Sequence, residues 1–262
     1  MKSAWSAGES TKGLWLTTNS SAVAESIADL GFDYVNIDMQ HGLAEYSDVV
    51  DMMRALEPSG GGVGASTITC RVPWNEPGII GRVLDAGAMG VIVPMVNTVE
   101  QAERAVAACR YAPDGARSFG PIRAQRVNGP GYHATANEEV ACIPMIETVE
   151  AVRNLDAILD VPGIDAVYVG PADLSLTLGL APRGDHDDAS FNEALAMIVA
   201  ACVRRGIVPG IHANPQIAAK RLEQGFRMVT VSSDLQALTA GALAALRAGR
   251  PDADGESGST LY

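Results

Sequence analysis

Short apolar runs and longer amphipathic segments alternate eight times along these 262 residues, and few architectures accept that rhythm. The runs Gly13–Thr17, Tyr34–Asp38, Ser66–Val72, Gly90–Val93, Ala141–Ile146, Ala166–Val169, Ile207–Ile211 and Met228–Val231 read as strands. Each is short, rich in β-branched or apolar residues, and bounded by Gly, Pro or Asp. The segments Ser20–Leu30, Glu45–Leu56, Gly78–Ala86, Thr98–Cys109, one starting at Thr148, Ser190–Arg204, Pro215–Glu223 and Asp234–Leu246 read as helices. They carry apolar residues at 3.6-residue spacing, several behind a capping residue. Eight such rounds in about 250 residues predict a single α/β domain, a (β/α)8 TIM barrel. The rival is a doubly wound sheet. The run Gly60-Gly61-Gly62-Val63-Gly64 does not favour it, because the run lacks dinucleotide-loop spacing and precedes a strand.

Two stretches fall outside the rhythm. Tyr111–Asn137 is rich in Gly, Pro, Arg and Asn and reads as a long loop, of the kind that is either functional or disordered. The tail from residue 250 to 262 is polar and Gly-rich and reads as flexible, which leaves a barrel over 1–249. The balance of 19 Lys+Arg against 31 Asp+Glu gives a net charge of -12, which argues against nucleic acid and anionic lipid as partners. No apolar stretch approaches the roughly 18 residues of a membrane span. Cys70, Cys109, Cys142 and Cys202 lie far apart, without metal-ligand spacing. With no secretory leader pattern, they read as reduced, buried thiols of a cytoplasmic protein.

A barrel of this kind places its chemistry at the C-terminal ends of its strands. The polar residues that fall there are Asp38 with His41, Arg71, Glu147, Gly170-Pro171-Ala172-Asp173, His212, and Ser232-Ser233-Asp234. Two carboxylates on adjacent strands, Glu147 and Asp173, suit a hard divalent cation that keeps sites open for substrate oxygens. Glu147 could equally be a helix-capping acid. His41 beside Asp38 has the pattern of an imidazole oriented as a base, or of a loop histidine bonded to backbone. Arg71 suits an anionic ligand or a developing oxyanion, or an ion pair with a barrel carboxylate. His212 reads as a pocket-lining residue. The three lysines, Lys2, Lys12 and Lys220, avoid the strand ends, which argues against a Schiff-base mechanism. Neither a nucleophile elbow nor a Walker loop is present, and no organic cofactor is expected.

At these residues the chain resembles the HpcH/HpaI aldolase and citrate lyase family, the metal-dependent (class II) 2-oxo-acid aldolases. The resemblance rests on Asp38-Met39-Gln40-His41-Gly42, Arg71-Val72-Pro73, Val83–Ala88, Ile92–Val96, Ile146-Glu147-Thr148 and Val169–Ser175, in the family's order. It spans Gly13 to Ala245. It implies that Glu147 and Asp173 hold Mg2+, Mn2+ or Co2+, which chelates the carboxylate and keto oxygens of a 2-oxo acid. Backbone amides around Gly170–Asp173, the turn that holds Pro171 and Ala172, would cradle that carboxylate, with His212 lining the site. Arg71 would stabilise an enolate oxygen, and His41, oriented by Asp38, would be the acid/base. Asp85 resembles an acidic residue that members present to a neighbouring subunit's site. A homo-oligomer, a hexamer built as a trimer of dimers, is the matching expectation. The implied reaction is reversible aldol cleavage of a 4-hydroxy-2-oxo acid to pyruvate or hydroxypyruvate and an aldehyde. CoA-ester lyases and an oxaloacetate-type decarboxylase share the same enolate chemistry, and Arg117, Arg123 and Arg126 would be the rim for CoA phosphates. A barrel that only binds a 2-oxo acid is the non-catalytic alternative. Gln40 stands where the first motif often has Glu, and Met145 where some members carry Gln, which leaves the aldehyde open.

Overall fold

A computed structural model describes residues 1–57 and 66–250. The glycine run at 60–64 and the tail from 251 lie outside the described residues. In chain order the elements are α1 (Lys2–Ser6), β1 (Thr11–Leu16), α2 (Ser21–Ile27), β2 (Tyr34–Asp38), α3 (Tyr46–Leu56), β3 (Thr67–Arg71), α4 (Pro77–Asp85) and β4 (Gly90–Val93). Next come α5 (Val99–Cys109), α6 (Ile122–Asn128), α7 (Tyr132–Glu139), β5 (Ala141–Pro144), α8 (Val149–Arg153), α9 (Leu155–Leu159) and β6 (Ala166–Val169). The chain continues through α10 (Pro171–Thr177), α11 (Ala189–Arg205), β7 (Val208–His212), α12 (Ala218–Glu223), β8 (Met228–Ser233) and α13 (Asp234–Ala248).

All strand pairs are parallel and join neighbours in sequence, with β1 pairing both β2 and β8. The seam between β5 and β6 is made by one bridge, Met145 to Tyr168, where Ile146 N–H donates to the Tyr168 carbonyl at 2.9 Å. The (β/α)8 barrel read from the sequence is therefore the fold. Side-chain alternation along each strand divides two cores. Inside the barrel lie Trp15, Tyr34, Ile92, Ile143, Met145, Tyr168 and Met228, while Leu14, Val35, Ile37, Val91 and Val167 face the surrounding helices. Gly13 makes room for the ring of Tyr34, its register partner on the adjacent strand β2, since a Cβ there would lie 2.2 Å from the ring. All four cysteines are free and buried.

Helix starts follow their caps. Ser20 accepts from the Val23 amide, and Thr98 forms a capping box with Gln101. The differences from the sequence reading are local. Tyr111–Asn137, expected as a long loop, holds α6 and most of α7. Those helices bury little beyond Ala124, Tyr132 and Ala136, so their apolar periodicity is too weak to see. A short α10 starts directly after β6, and the helix expected from Thr148 breaks at Asn154. Among the described residues no helix is long and apolar enough to cross a membrane.

The last helix behaves unlike the others. No residue separates β8 from α13, so the chain has no loop in which to reverse. Asp234 anchors the junction, accepting from the amides and hydroxyls of Thr17 and Thr18. Beyond it every residue of α13 is exposed, including Leu235, Leu238, Leu243 and Leu246.

Candidate active site

The register of β2 on β3 sets Asp38 opposite Arg71 at the C-terminal end of the barrel. The carboxylate takes a bidentate pair from the guanidinium, Nε to Oδ1 at 2.8 Å and Nη2 to Oδ2 at 2.6 Å. Both side chains are nearly buried. Such a fork fixes both planes and leaves neither charge stranded. Of the alternatives open for Arg71, the ion pair with a barrel carboxylate is the one formed. The guanidinium also lies over the Trp15 ring, 4.5 Å from its centroid. Trp15 stacks on Tyr168 at 5.5 Å, and Tyr168 is tied to Thr230 and through it to Tyr34. Arg71 thus stands on a rigid aromatic platform.

Asp38 does not meet His41 as expected. Its Oδ1 accepts the backbone amides of Gln40 at 3.0 Å and His41 at 3.4 Å, and the carboxylate's remaining capacity goes to Arg71. Asp38 shapes the loop that carries His41, while the imidazole itself is exposed at the edge of the cleft.

Glu147 follows β5 and is 2% exposed. Its Oε1 accepts the Met95 amide at 2.8 Å, and Met95 is held at φ 56°, in the left-handed region that side chains avoid. The strained turn after β4 therefore aims one N–H at this carboxylate. Burial pushes Glu147 up to about 7 and the nearby Asp173 charge pushes the same way, against the Met95 amide and Arg71. Gly170 completes the arrangement, since a Cβ there would lie 2.2 Å from Glu147 Oε2. Gly170 also caps α10, with Pro171 in its first turn and Asp173 two residues on. The first-turn amides of Ala172 and Asp173 have no partner within the helix and are free for an anion.

A cleft of about 360 Å³ joins these groups. Asp38, His41, Arg71, Gly170, Pro171, Ala172, Asp173 and His212 line it. Glu147 lies against Gly170 at its base. Ser233, at the end of β8, lines it too; Trp15, Thr17 and Tyr168 also line it and were missed by sequence reasoning, as was Met95. Trp15 could have been found from its inward register near the end of β1. Nothing in the sequence around Met95 signals its backbone.

Asp85 is not brought to this cleft on its own chain. It lies in the last turn of α4, paired with Arg117 at 2.8 Å. Arg117 is fully buried in that pair, and Arg123 bonds Glu57 and the Ala86 carbonyl. Two of the three arginines suggested as a phosphate rim are thus engaged elsewhere, which weighs against a CoA ester.

The donor set fits a hard divalent cation. The Asp173 carboxylate stands near Glu147, whose ionisation burial and that charge oppose, and Glu147 Oε2 accepts no hydrogen bond among the described residues. No group of three or more His, Cys, Asp and Glu with metal-site geometry occurs among the described residues. A two-carboxylate site is the kind that leaves positions to water and substrate oxygens.

Comparison with known proteins matches the chain to one family. A model of the HpcH/HpaI aldolase/citrate lyase family matches residues 11–240. The chain is 40% identical over 246 residues to a hydroxypyruvate/pyruvate aldolase of Rhizorhabdus wittichii, covering 92% of this chain and 95% of that one. It is also 40% identical over 252 residues to a 4-hydroxy-2-oxo-heptane-1,7-dioate aldolase of Shigella flexneri, covering 93% and 91%. Among solved structures, an HpcH/HpaI family protein from Burkholderia cenocepacia superposes with a TM-score of 0.87 at 34% identity, covering 95% and 98%.

Proposed function

We propose, since the chain belongs to the HpcH/HpaI aldolase/citrate lyase family, that it reversibly cleaves a 4-hydroxy-2-oxo acid into pyruvate or hydroxypyruvate and an aldehyde. The observation that carries this reading is the convergence of Arg71, His41, Glu147 and Asp173 on one cleft end of the barrel. Glu147 and Asp173 would hold a divalent ion such as Mg2+, Mn2+ or Co2+, which when bound supplies Lewis-acid polarisation of the C2 carbonyl.

The chain's own residues account for the remaining needs. The first-turn amides of Ala172 and Asp173 take the substrate carboxylate, at the positive end of α10. His41 takes the proton of the C4 hydroxyl as the C3–C4 bond breaks and the aldehyde forms. The bond's electron pair becomes the C2–C3 double bond, and negative charge collects on the C2 oxygen. Arg71 stabilises that charge, already oriented by Asp38 and Trp15, so no reorganisation is needed during the reaction. Return of a proton to C3 completes the 2-oxo acid. No electrons leave the substrate, so no organic cofactor is called for.

The reading includes a homo-oligomer, a hexamer arranged as a trimer of dimers. Supporting it is α13, whose leucines stay exposed on their own chain, where a helix this apolar needs cover. In such an assembly Asp85 would act in a neighbour's cleft.

The test is catalysis after EDTA stripping and resupply of Mg2+, Mn2+ or Co2+. Metal-dependent cleavage of a 4-hydroxy-2-oxo acid, abolished in Glu147→Gln, is expected. Full activity in the stripped protein, or none with any metal and any such acid, contradicts the reading.

A further inference from the structure

The proton transfers above leave one histidine of the cleft unused. His212 closes β7, and its ring stands edge-on to Trp15 with centroids 4.9 Å apart. The face of Trp15 that carries Arg71 and the stack on Tyr168 hold that indole still, so the imidazole has a fixed wall on one side. Among the described residues neither ring nitrogen has a hydrogen-bond partner, and neither is among the fully buried atoms left without one, so both keep some exposure in a residue that lines the cleft. Burial, with the Arg71 charge helping, lowers this histidine to about 4, so it is neutral near pH 7. A neutral imidazole offers one donor and one acceptor. The complementary group is a hydroxyl, which also donates and accepts. A carboxylate, which only accepts, would leave the imidazole acceptor facing it.

The charges of the cleft point the same way. Among the described residues that line it, Arg71 is the only Lys or Arg, and its Nε and Nη2 are committed to Asp38. Asp38 and Asp173 line the same cleft, and Glu147 lies beside it. A 2-oxo acid brings one carboxylate, for which the first turn of α10 is free. An aldehyde with a carboxylate of its own would bring a second negative charge into a partly desolvated site where the described residues of this chain leave no Lys or Arg for it.

We propose that His212 reads a hydroxyl on the aldehyde half of the substrate, so that the enzyme takes uncharged hydroxyaldehydes in preference to aldehydes ending in a carboxylate. This rests on the aldolase reading above. The test measures kcat/KM for aldol addition of pyruvate to glycolaldehyde, acetaldehyde and succinic semialdehyde, with Mn2+ supplied. The wild type should favour glycolaldehyde over succinic semialdehyde by about tenfold or more. His212→Leu should shrink the glycolaldehyde-to-acetaldehyde ratio by about tenfold, the worth of one good hydrogen bond. His212→Gln, which keeps a donor and an acceptor, should retain most of that ratio, and His212→Arg should shift preference toward succinic semialdehyde. A wild type that prefers succinic semialdehyde overturns the proposal, as does a ratio unmoved in His212→Leu. If His212→Leu fails to fold, the wild-type preference and the Gln and Arg variants still decide. Loss of all products together with absent exchange of pyruvate methyl protons in the wild type would sink the aldolase reading itself. Exchange with the reversed preference would sink only the selectivity.

Discussion

The two ends of the barrel are built on opposite terms. At the N-terminal end, Trp5 reaches in from α1 to pack with Ala141, Ala166, Val208 and Met228, and its indole N–H is satisfied by Thr11 Oγ1 at 3.0 Å. At the C-terminal end, the Trp15 indole N–H has no partner, Met95 sits at φ 56°, and a buried carboxyl is raised to about 7. The same alternation of inward and outward residues makes both ends. One end spends its interior on closure. The other gives up local stability to keep polar groups unsatisfied and aimed, which is where binding and catalysis can draw on them.

Substitutions can break that contrast. The largest expected effect is at the closed end. Trp5→Ala should cost about 3–5 kcal/mol of stability in denaturant unfolding, while kcat of the folded fraction stays within about twofold. A large kcat loss there would erase the distinction between the ends. Arg71→Lys keeps a charge beside Asp38 but loses the fork, and should lower kcat by about 10²–10³-fold with a much smaller change in stability.

The third prediction uses pH. In the metal-stripped protein Glu147 lies above its ordinary value of 4.5, at about 7, because burial disfavours its charge. The stability it contributes is then full below about pH 4.5 and lost as pH rises through 7. Glu147→Gln removes that loss. Between pH 4 and pH 8 the variant should gain on wild type by about 3 kcal/mol in unfolding free energy, an order-of-magnitude figure. A pH-independent difference would contradict the raised carboxyl. The smallest effect is at Met95. Glycine accepts its backbone freely, so Met95→Gly should stabilise the fold by about 0.5–1 kcal/mol in thermal unfolding. Destabilisation would mean that the lost side-chain packing outweighs the relief of strain.

What was legible in the sequence follows from what is periodic. The eight rounds and the strand ends at Asp38 and Arg71 could be read because alternation of two against 3.6 residues is a local property. Short α6 and α7 hid because each buries only one or two side chains. The pairing of Asp38 with Arg71 in place of the His41 ring depends on strand register, which spacing along one chain does not contain. The roles of Trp15, Tyr168 and Met95 are likewise long-range. They emerge only when β1, β4 and β6 are brought to β5 and β3. The metal role of Glu147 and Asp173 is supported by the approach of two acids from the ends of the adjacent strands β5 and β6.

The most direct measurement is deuterium exchange into the methyl group of pyruvate, followed by NMR, with stripped and Mn2+- or Mg2+-supplied protein. It needs no choice of aldehyde and reports enolate formation alone. The account predicts metal-dependent exchange in the wild type and none in Glu147→Gln. Equal exchange in both proteins, or none in the wild type with pyruvate and with hydroxypyruvate, would contradict it.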